Sequence, residues 1–170
     1  METKFRFEKN NQVIVLTGAG ISAESGLKTF RDNDGLWENH RVEDVATPQA
    51  FSRNPQLVWR FYKMRYQQLS EVKPNPGHFA IYELEKFLDE NFMLITQNVD
   101  GLHSLAGNKR IMEMHGSLLS CFCTKCGKVF SMFDIDLTPE IPICSECESY
   151  LRPDIVWFGE IPYYMNCLLY

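Results

Sequence analysis

A short strand that runs directly into glycines is the feature that most restricts the fold of this chain. Val13–Thr17 reads V-I-V-L-T, an apolar and largely β-branched run, and Gly18, Gly20 and Gly26 follow it among other small residues. In α/β proteins a strand, a glycine turn and a helix start together bind phosphate, because glycines allow close approach and the first helical N–H groups point at the anion. The dinucleotide-binding pattern lacks its third glycine here, so a plain tight turn stays open as the alternative.

The length and charge of the chain narrow its class. Its 170 residues suit one domain. The formal net charge of −5 argues against a sequence-independent grip on nucleic acid. No apolar run reaches the roughly 18 residues of a membrane span, and the polar start of the chain has no hydrophobic signal core. The sequence predicts a soluble, cytoplasmic protein that binds neither nucleic acid nor membrane, and it leaves the oligomeric state open.

Four of the six cysteines are spaced like the ligands of a metal ion. They form two C-x-x-C pairs, Cys123 with Cys126 and Cys144 with Cys147. Each pair places two thiolates on one turn, and two such turns close a tetrahedral site with no open position. Disulfides are the alternative, which the absence of a secretory signal disfavours. The spacing therefore predicts one structural zinc ion, and the two other cysteines are expected to be free thiols.

Strand and helix patterns alternate along much of the chain. The predicted strands after the first are Phe92–Thr96, Arg110–Met114 and Ile155–Phe158. The predicted helices begin at Ile21, at Asn54-Pro55 and at His78. The polar segment Lys28–Thr47 is expected to be an irregular, mobile loop. Strands that alternate with helices predict an α/β fold with a parallel sheet, which the cysteine segment interrupts.

Polar residues directly follow the last three predicted strands. Gln97, Asn98 and Asp100 follow the first of them, His115 the second and Glu160 the third. Open α/β sheets place ligands at the carboxyl ends of their strands. A lone Asn or His at such an end usually caps a loop, but an amide pair, an aspartate and a histidine at successive ends predict one shared cleft.

With these segments in place, the sequence resembles the sirtuins, which are NAD-dependent protein-lysine deacylases. The matching segments are Gly18–Ser22 with Ser25-Gly26, Phe30-Arg31, Thr96–Asp100, His115-Gly116, the four cysteines and Arg152–Glu160. The resemblance implies a Rossmann-like NAD-binding catalytic domain made of residues 1–118 and 151–170. In that domain the helical segment 52–90 contributes the acyl pocket, and a small zinc-ribbon lobe at residues 119–150 is inserted into it.

The resemblance also implies roles for individual residues. The NAD-binding positions would be Gly18, Ala19, Gly20, Ala23, Glu24, Phe30, Arg31, Gln97, Asn98, Val99 and Asp100. The catalytic positions would be His115, Asn98 and Asp100, with His115 as the general base on a ribose hydroxyl. The substrates would be acyl-lysine proteins or peptides, and the products would be free lysine, nicotinamide and O-acyl-ADP-ribose.

Within the family, the chain is similar to the bacterial class that also removes acidic acyl groups. Tyr62 and Arg65 match the Y-x-x-R pair of that class and share one helix face, where a phenol and a guanidinium could clamp a carboxylate. Ala46 stands where that class keeps a small residue to widen the acyl pocket. The alternative is that Tyr62 simply packs and Arg65 is solvated. The peptide backbone is expected to pair with a strand at Val156, Phe158 and Gly159.

The resemblance also marks a difference in length, because family members continue for roughly another hundred residues that complete the sheet and hold the adenosine. An incomplete sheet with an uncovered apolar face, and weak or no activity, are therefore expected of this chain. One alternative is a non-catalytic remnant that binds only zinc and peptide. Mono-ADP-ribosyl transfer is another, which the Tyr62 and Arg65 pair disfavours. A zinc-ribbon nucleic-acid module is a more distant one, given the acidic charge.

Overall fold

Strands alternate with helices in the first part of the chain, and strands predominate after it. The computed structural model describes residues 6–27, 36–37 and 40–165. Its strands are β1 (Val13–Thr17), β2 (Leu36–Trp37), β3 (His40–Arg41), β4 (Phe92–Thr96), β5 (Ile111–Glu113), β6 (Gly116–Cys123), β7 (Val129–Ser131) and β8 (Leu151–Ile155). Its α-helices are α1 (Gly20–Ala23), α2 (Val42–Val45), α3 (Pro48–Arg53), α4 (Pro55–Gln68), α5 (Pro76–Leu88) and α6 (Leu102–Ala106). None of the helices described here is both long enough and apolar enough to cross a membrane.

A parallel sheet of order β1-β4-β5 confirms the predicted α/β fold. β4 lies in the centre and pairs in parallel with both neighbours. Leu88, Phe92 and Leu94 form a buried cluster between this sheet and α5. On β1 the side chains alternate, so that Ile14 is 69% exposed and Leu16 62% exposed. Because the strands are parallel, their carboxyl ends meet at one edge of the sheet.

The second sheet is antiparallel, of order β7-β6-β8, and carries the cysteine turns. The prediction of a strand at Ile155–Phe158 is wrong, because the strand is β8 and it ends at Ile155. The next three N–H groups go to three different acceptors, namely His115 O, the Glu160 carboxylate and Ala46 O, so no ladder forms. Ile155 and Trp157 of this run are buried against α4, whereas Phe158 is 56% exposed. The lobe boundaries at 119 and 150 stay a prediction, and β6 already begins at Gly116.

The predicted irregular segment at 28–47 is wrong for its last part. β3 and α2 occupy residues 40–45, and β2 pairs with β3. Val45 is fully buried in the cluster that also contains Phe61, and this burial fixes a helical turn that the polar composition concealed. Residues 28–35, 38 and 39 lie outside the described residues.

Helix α4 packs against the antiparallel sheet and the cysteine lobe. It begins where the sequence predicts, with the Asn54 side chain accepting the Leu57 N–H at 3.1 Å. The indole N–H of Trp59 donates to Leu151 O at 2.8 Å, at the start of β8. The Lys63 ammonium donates to backbone carbonyls of the cysteine lobe, among them Leu137 O at 2.8 Å. The lobe is therefore tied to one side of α4 by both an apolar contact and a cation.

A buried carboxylate fixes the segment that enters β5. Glu85 on α5 accepts hydrogen bonds from Asn108 Nδ2 at 2.6 Å, from Lys109 N at 2.9 Å and from Arg110 N at 3.1 Å. These donors neutralise much of the cost of burying the carboxylate. Glu85 of α5 thus fixes the position at which β5 begins, and therefore also the position of its carboxyl end.

Candidate functional site

A cavity of about 460 Å³ opens at the carboxyl edge of the parallel sheet. Loops that follow β1, β4, β5 and β8 form its walls, and α4 closes one end. Its volume is typical of sites for small molecules. The predicted site residues that line it are Ala19, Ala46, Tyr62, Arg65, Gln97, Asn98, Val99, Asp100, His115, Val156, Phe158 and Gly159.

The remaining predicted residues lie beside this cavity or outside the described chain. Gly18 is in the turn after β1, Gly20 and Ala23 are in α1, and Glu24 ends that helix. A Cβ atom at Gly20 would meet nothing within 4 Å, and α1 starts without a side-chain cap. The N–H groups of Ile21 and Ser22 already donate to Gly18 O and Ala19 O, so an anion could approach this turn at the open backbone of Gly20. The predicted residues 30 and 31 lie outside the described residues.

A buried hydrogen-bond network forms the floor of the cavity. Ser22 Oγ donates to Asp100 Oδ2 at 2.7 Å and accepts from Asn98 Nδ2 at 3.0 Å. Asp100 Oδ1 accepts the Leu102 N–H at 2.9 Å, and Thr96 Oγ1 accepts the Asn98 N–H at 3.1 Å. Since buried polar groups are costly unless they are bonded, this network holds the amide and the carboxylate in fixed orientations.

Two buried histidines lie behind that floor. The rings of His78 and His103 are 4.8 Å apart, and both side chains are almost fully inaccessible. His78 Nδ1 accepts the Asn75 N–H at 3.2 Å, so its proton is on Nε2, which lies 3.5 Å from Ser22 Oγ. His103 Nε2 lies 3.0 Å from Thr17 Oγ1, at the end of β1. Burial, and after it the neighbouring His78, lowers the pKa of His103 to about 4.

His115 is placed on the cavity wall with one ring nitrogen directed at the backbone. Its Nδ1 lies 3.0 Å from Gln97 O. A carbonyl oxygen only accepts, so Nδ1 carries the proton and Nε2 holds the lone pair of a base. The next residue, Gly116, has φ +79°, and a Cβ there would lie 2.0 Å from Asp154 O. Only glycine allows this close approach to β8, and the approach fixes the backbone at His115.

The far end of the cavity is formed by α4 and the loop after β8. Tyr62 is 1% exposed and Arg65 is 7% exposed, so the alternative of a solvated Arg65 is wrong. Burial raises the pKa of Tyr62 far above its usual value, which keeps the phenol protonated. Phe158 N donates to Ala46 O at 3.0 Å and closes the floor beside them.

The predicted pairing of a peptide backbone at Val156, Phe158 and Gly159 stays a prediction, and the N–H groups there restrict it. Val156, Trp157 and Phe158 all use their N–H groups within the chain. These three donors cannot therefore take part in a ladder with a bound backbone. Gly159 lines the cavity with φ +91°, a conformation that belongs to a turn and not to a strand.

The four predicted metal ligands converge on one point. Cys123 Sγ lies 3.4 Å from Cys147 Sγ, and Cys126 Sγ lies 3.8 Å from Cys144 Sγ. All four sulfur atoms lie within 4.8 Å of one another. A tetrahedron of thiolates about 2.3 Å from a zinc ion has sulfur–sulfur edges of roughly 3.8 Å. The N–H groups of Cys126 and Lys125 lower the pKa of Cys123, which favours the thiolate that a metal requires.

Comparison with known proteins decides the family. The sequence pattern of the Sir2 family matches residues 18–167. This chain belongs to the Sir2 family. An NAD-dependent protein deacylase of Bdellovibrio bacteriovorus is 54% identical over 158 residues, which cover 91% of this chain and 66% of that protein. One of Leptospira interrogans is 52% identical over 159 residues, which cover 93% of this chain and 64% of that protein.

Solved structures agree with this assignment. The crystal structure of a Sir2 homologue in complex with NAD aligns with a TM-score of 0.78 and 44% identity, over 91% of this chain and 60% of that one. This Sir2 chain thus spans somewhat less than two thirds of the length of the relatives and structures that it matches.

Several lining residues of this Sir2 site were not predicted. They are Ser22, Leu27, Ile155, Trp157, Glu160 and Pro162. Ser22 carried a signal, since it is a hydroxyl residue in an otherwise apolar helix start. Nothing in the sequence distinguishes Trp157 from an ordinary core residue. Its hydrogen bond within the site goes to Tyr62, which lies 95 positions earlier in the chain.

The neutral, buried His103 predicts a pH-dependent stability. Its folded pKa of about 4 lies below the ordinary value of about 6.5, so between these pH values the unfolded chain binds a proton that the folded chain does not. The resulting contribution of His103 to the stability of the folded chain is complete above about pH 6.5 and is lost as the pH falls towards 4. His103→Gln should therefore make the unfolding free energy less steeply dependent on pH across this window. Urea titrations at three pH values measure how steeply the unfolding free energy changes with pH, and His40→Gln is the control. An equally steep pH dependence for wild type and His103→Gln would show that His103 is not the group responsible.

Proposed function

We propose that this Sir2 chain acts as an NAD-dependent protein-lysine deacylase that accepts acetyl and succinyl groups. One observation carries the proposal: the bonded Asn98 and Asp100, His115, and the Tyr62 and Arg65 pair all line a single cavity. The names of the Bdellovibrio and Leptospira relatives support the reaction class.

The residues around the glycine turn fit NAD. The glycine turn that leads into α1 suits a diphosphate, because the open space at Gly20 leaves room for it. Asn98 and Asp100 are oriented by Ser22 and suit the polar groups of a ribose or a carboxamide. When bound, NAD would supply a ribose carbon to take the acyl oxygen as nicotinamide leaves, and one water molecule would release the lysine, so the products would be free lysine, nicotinamide and O-acyl-ADP-ribose.

His115 is proposed as the general base. With Nδ1–H donating to Gln97 O, its Nε2 can take a proton from a substrate hydroxyl at the cavity wall. An imidazole is suited to this transfer near neutral pH. The backbone of His115 is held by Val156 N, which donates to His115 O at 2.9 Å, so the base does not depend on its own loop for its position.

Tyr62 and Arg65 are proposed as the clamp for an acidic acyl group. Both side chains are buried and line the cavity, and they lie one helical turn apart on α4. A protonated phenol and a guanidinium both donate, which suits a carboxylate at the end of a succinyl group. The small side chain of Ala46 leaves the space that such a group requires.

Loss of the base should separate chemistry from binding. His115→Asn keeps an N–H group for Gln97 O and removes the basic nitrogen, so deacylation should fall by about 10²–10⁴-fold while NAD affinity changes little. Turnover assays and calorimetry with NAD measure the two quantities. Turnover that remains at the wild-type level would exclude His115 as the base, and NAD that fails to bind the wild-type chain would favour the binding-only alternative.

The clamp predicts a loss that depends on the acyl group. Arg65→Met should reduce desuccinylation roughly ten- to a hundredfold more than deacetylation, because only the acidic group offers a carboxylate to the guanidinium. Arg60→Met is the matched control, since Arg60 lies on the same helix and is exposed. Equal losses on acetyl-lysine and succinyl-lysine peptides would make Arg65 a structural residue.

We also propose that the four cysteines hold one structural zinc ion. Metal analysis of the purified chain should find about one equivalent of zinc, and Cys123→Ser should lose most of it, because four sulfur ligands are needed to close the site. Cys121→Ser provides the control, because Cys121 is buried on the same strand and stands outside the cluster. Equal zinc content in both variants would contradict the ligand assignment.

A further inference from the structure

Tyr62 shares a buried hydrogen bond with a tryptophan on the opposite wall of the cavity. The indole Nε1 of Trp157 lies 2.9 Å from the phenol oxygen, and Trp157 is only 2% exposed. An indole N–H can only donate. The phenol oxygen of Tyr62 is therefore the acceptor in this bond, and the phenol proton has to point in another direction.

Trp157 is itself held on its ring and on its backbone. The guanidinium of Arg152 stacks 3.6 Å from the ring centroid of Trp157. The same guanidinium forms two hydrogen bonds with Glu160, at 2.8 and 3.0 Å, and Glu160 also accepts the Trp157 N–H at 2.8 Å. The ring of Phe51 lies 5.5 Å from that of Trp157. These contacts leave the indole little freedom to turn its N–H away from Tyr62.

This geometry bears differently on the two kinds of acyl group. An acyl carboxylate needs donors, and a phenol that offered it a lone pair would repel it. By donating to the Tyr62 oxygen, the Trp157 N–H turns the phenol proton away from the indole, so that the phenol can act as a donor on the cavity side. An acetyl group has no carboxylate, so its binding should not depend on the direction of the phenol proton.

We propose that Trp157 is a positioning residue for acidic acyl groups, whose indole N–H keeps the Tyr62 hydroxyl directed as a donor to the acyl carboxylate. The inference rests on the proposed function and adds to it a residue that acts through Tyr62. Arg152 and Glu160 contribute to this role, because they fix the ring plane and the backbone of Trp157.

A double-mutant cycle on acyl discrimination tests the proposal. Fluorescence anisotropy with labelled succinyl-lysine and acetyl-lysine peptides gives the ratio of the two affinities for the wild-type chain, Trp157→Phe, Tyr62→Phe and the double variant. Trp157→Phe should lower the preference for the succinyl peptide about fivefold, the effect of one net hydrogen bond. The double variant should lower it no further than Tyr62→Phe alone.

Two further proteins separate this role from packing. 3-Benzothienylalanine at position 157 keeps the shape of the indole and replaces its N–H with sulfur, so it should lower the succinyl preference as Trp157→Phe does, even where Trp157→Phe folds poorly. Tyr66→Phe is the control, because Tyr66 lies on the same helix as Tyr62 and does not line the cavity; its ratio should stay at the wild-type value.

The outcomes distinguish the two proposals. Equal losses for both peptides, or an undiminished effect of Trp157→Phe in the Tyr62→Phe background, would overturn the positioning role and leave the deacylase assignment intact. A wild-type chain that binds neither peptide would overturn the proposed function, and the role of Trp157 with it.

Discussion

The in-register parallel pairing of β1 with β4 is the constraint on which the site depends. Thr17 stands opposite Thr96, and the Thr17 hydroxyl donates to that of Thr96 at 2.9 Å. The ladder continues one step further, because Gln97 N donates to Thr17 O. Two loops therefore leave the sheet at the same level, and Ser22 from one meets Asp100 from the other. A slip of β1 by one residue would turn Thr17 to the opposite face, away from Thr96, and would separate Ser22 from Asp100.

Charges in this site are buried together with their partners. Arg152 and Glu160 are paired near the cavity, and Asp100 accepts from a hydroxyl and an N–H. Removing one partner leaves the other charge without compensation, which costs about 3–5 kcal/mol in a fully buried pair and less in a half-buried pair such as Arg152 and Glu160. The histidines behind the floor avoid the cost of a buried charge in another way, because burial lowers their pKa and keeps them neutral. The rigidity of the site thus has an electrostatic origin as much as a steric one.

The sequence was sufficient to predict those elements whose local pattern agrees with their burial in the fold. β1 and β4 are apolar runs followed by polar or glycine turns, α4 has an Asn-Pro start, and the cysteine spacing implied four convergent sulfur atoms. It failed at Ile155–Phe158, where the same apolar pattern arises from packing under a helix. Contacts such as that of Trp157 with Tyr62 join side chains that only the tertiary fold brings together. No periodicity encodes them.

Helix α4 contacts the cysteine lobe on one side and the cavity on the other. Trp59 and Lys63 fasten it to the cysteine lobe, while Tyr62 and Arg65 face the cavity. The lobe thereby supports the helix that carries the proposed acyl clamp. Loosening of the sulfur cluster would let α4 shift along its axis, and the two donors would move together relative to the loop after β8. The proposed selectivity for acidic acyl groups would then be lost before the glycine turn at the other end of the cavity was disturbed.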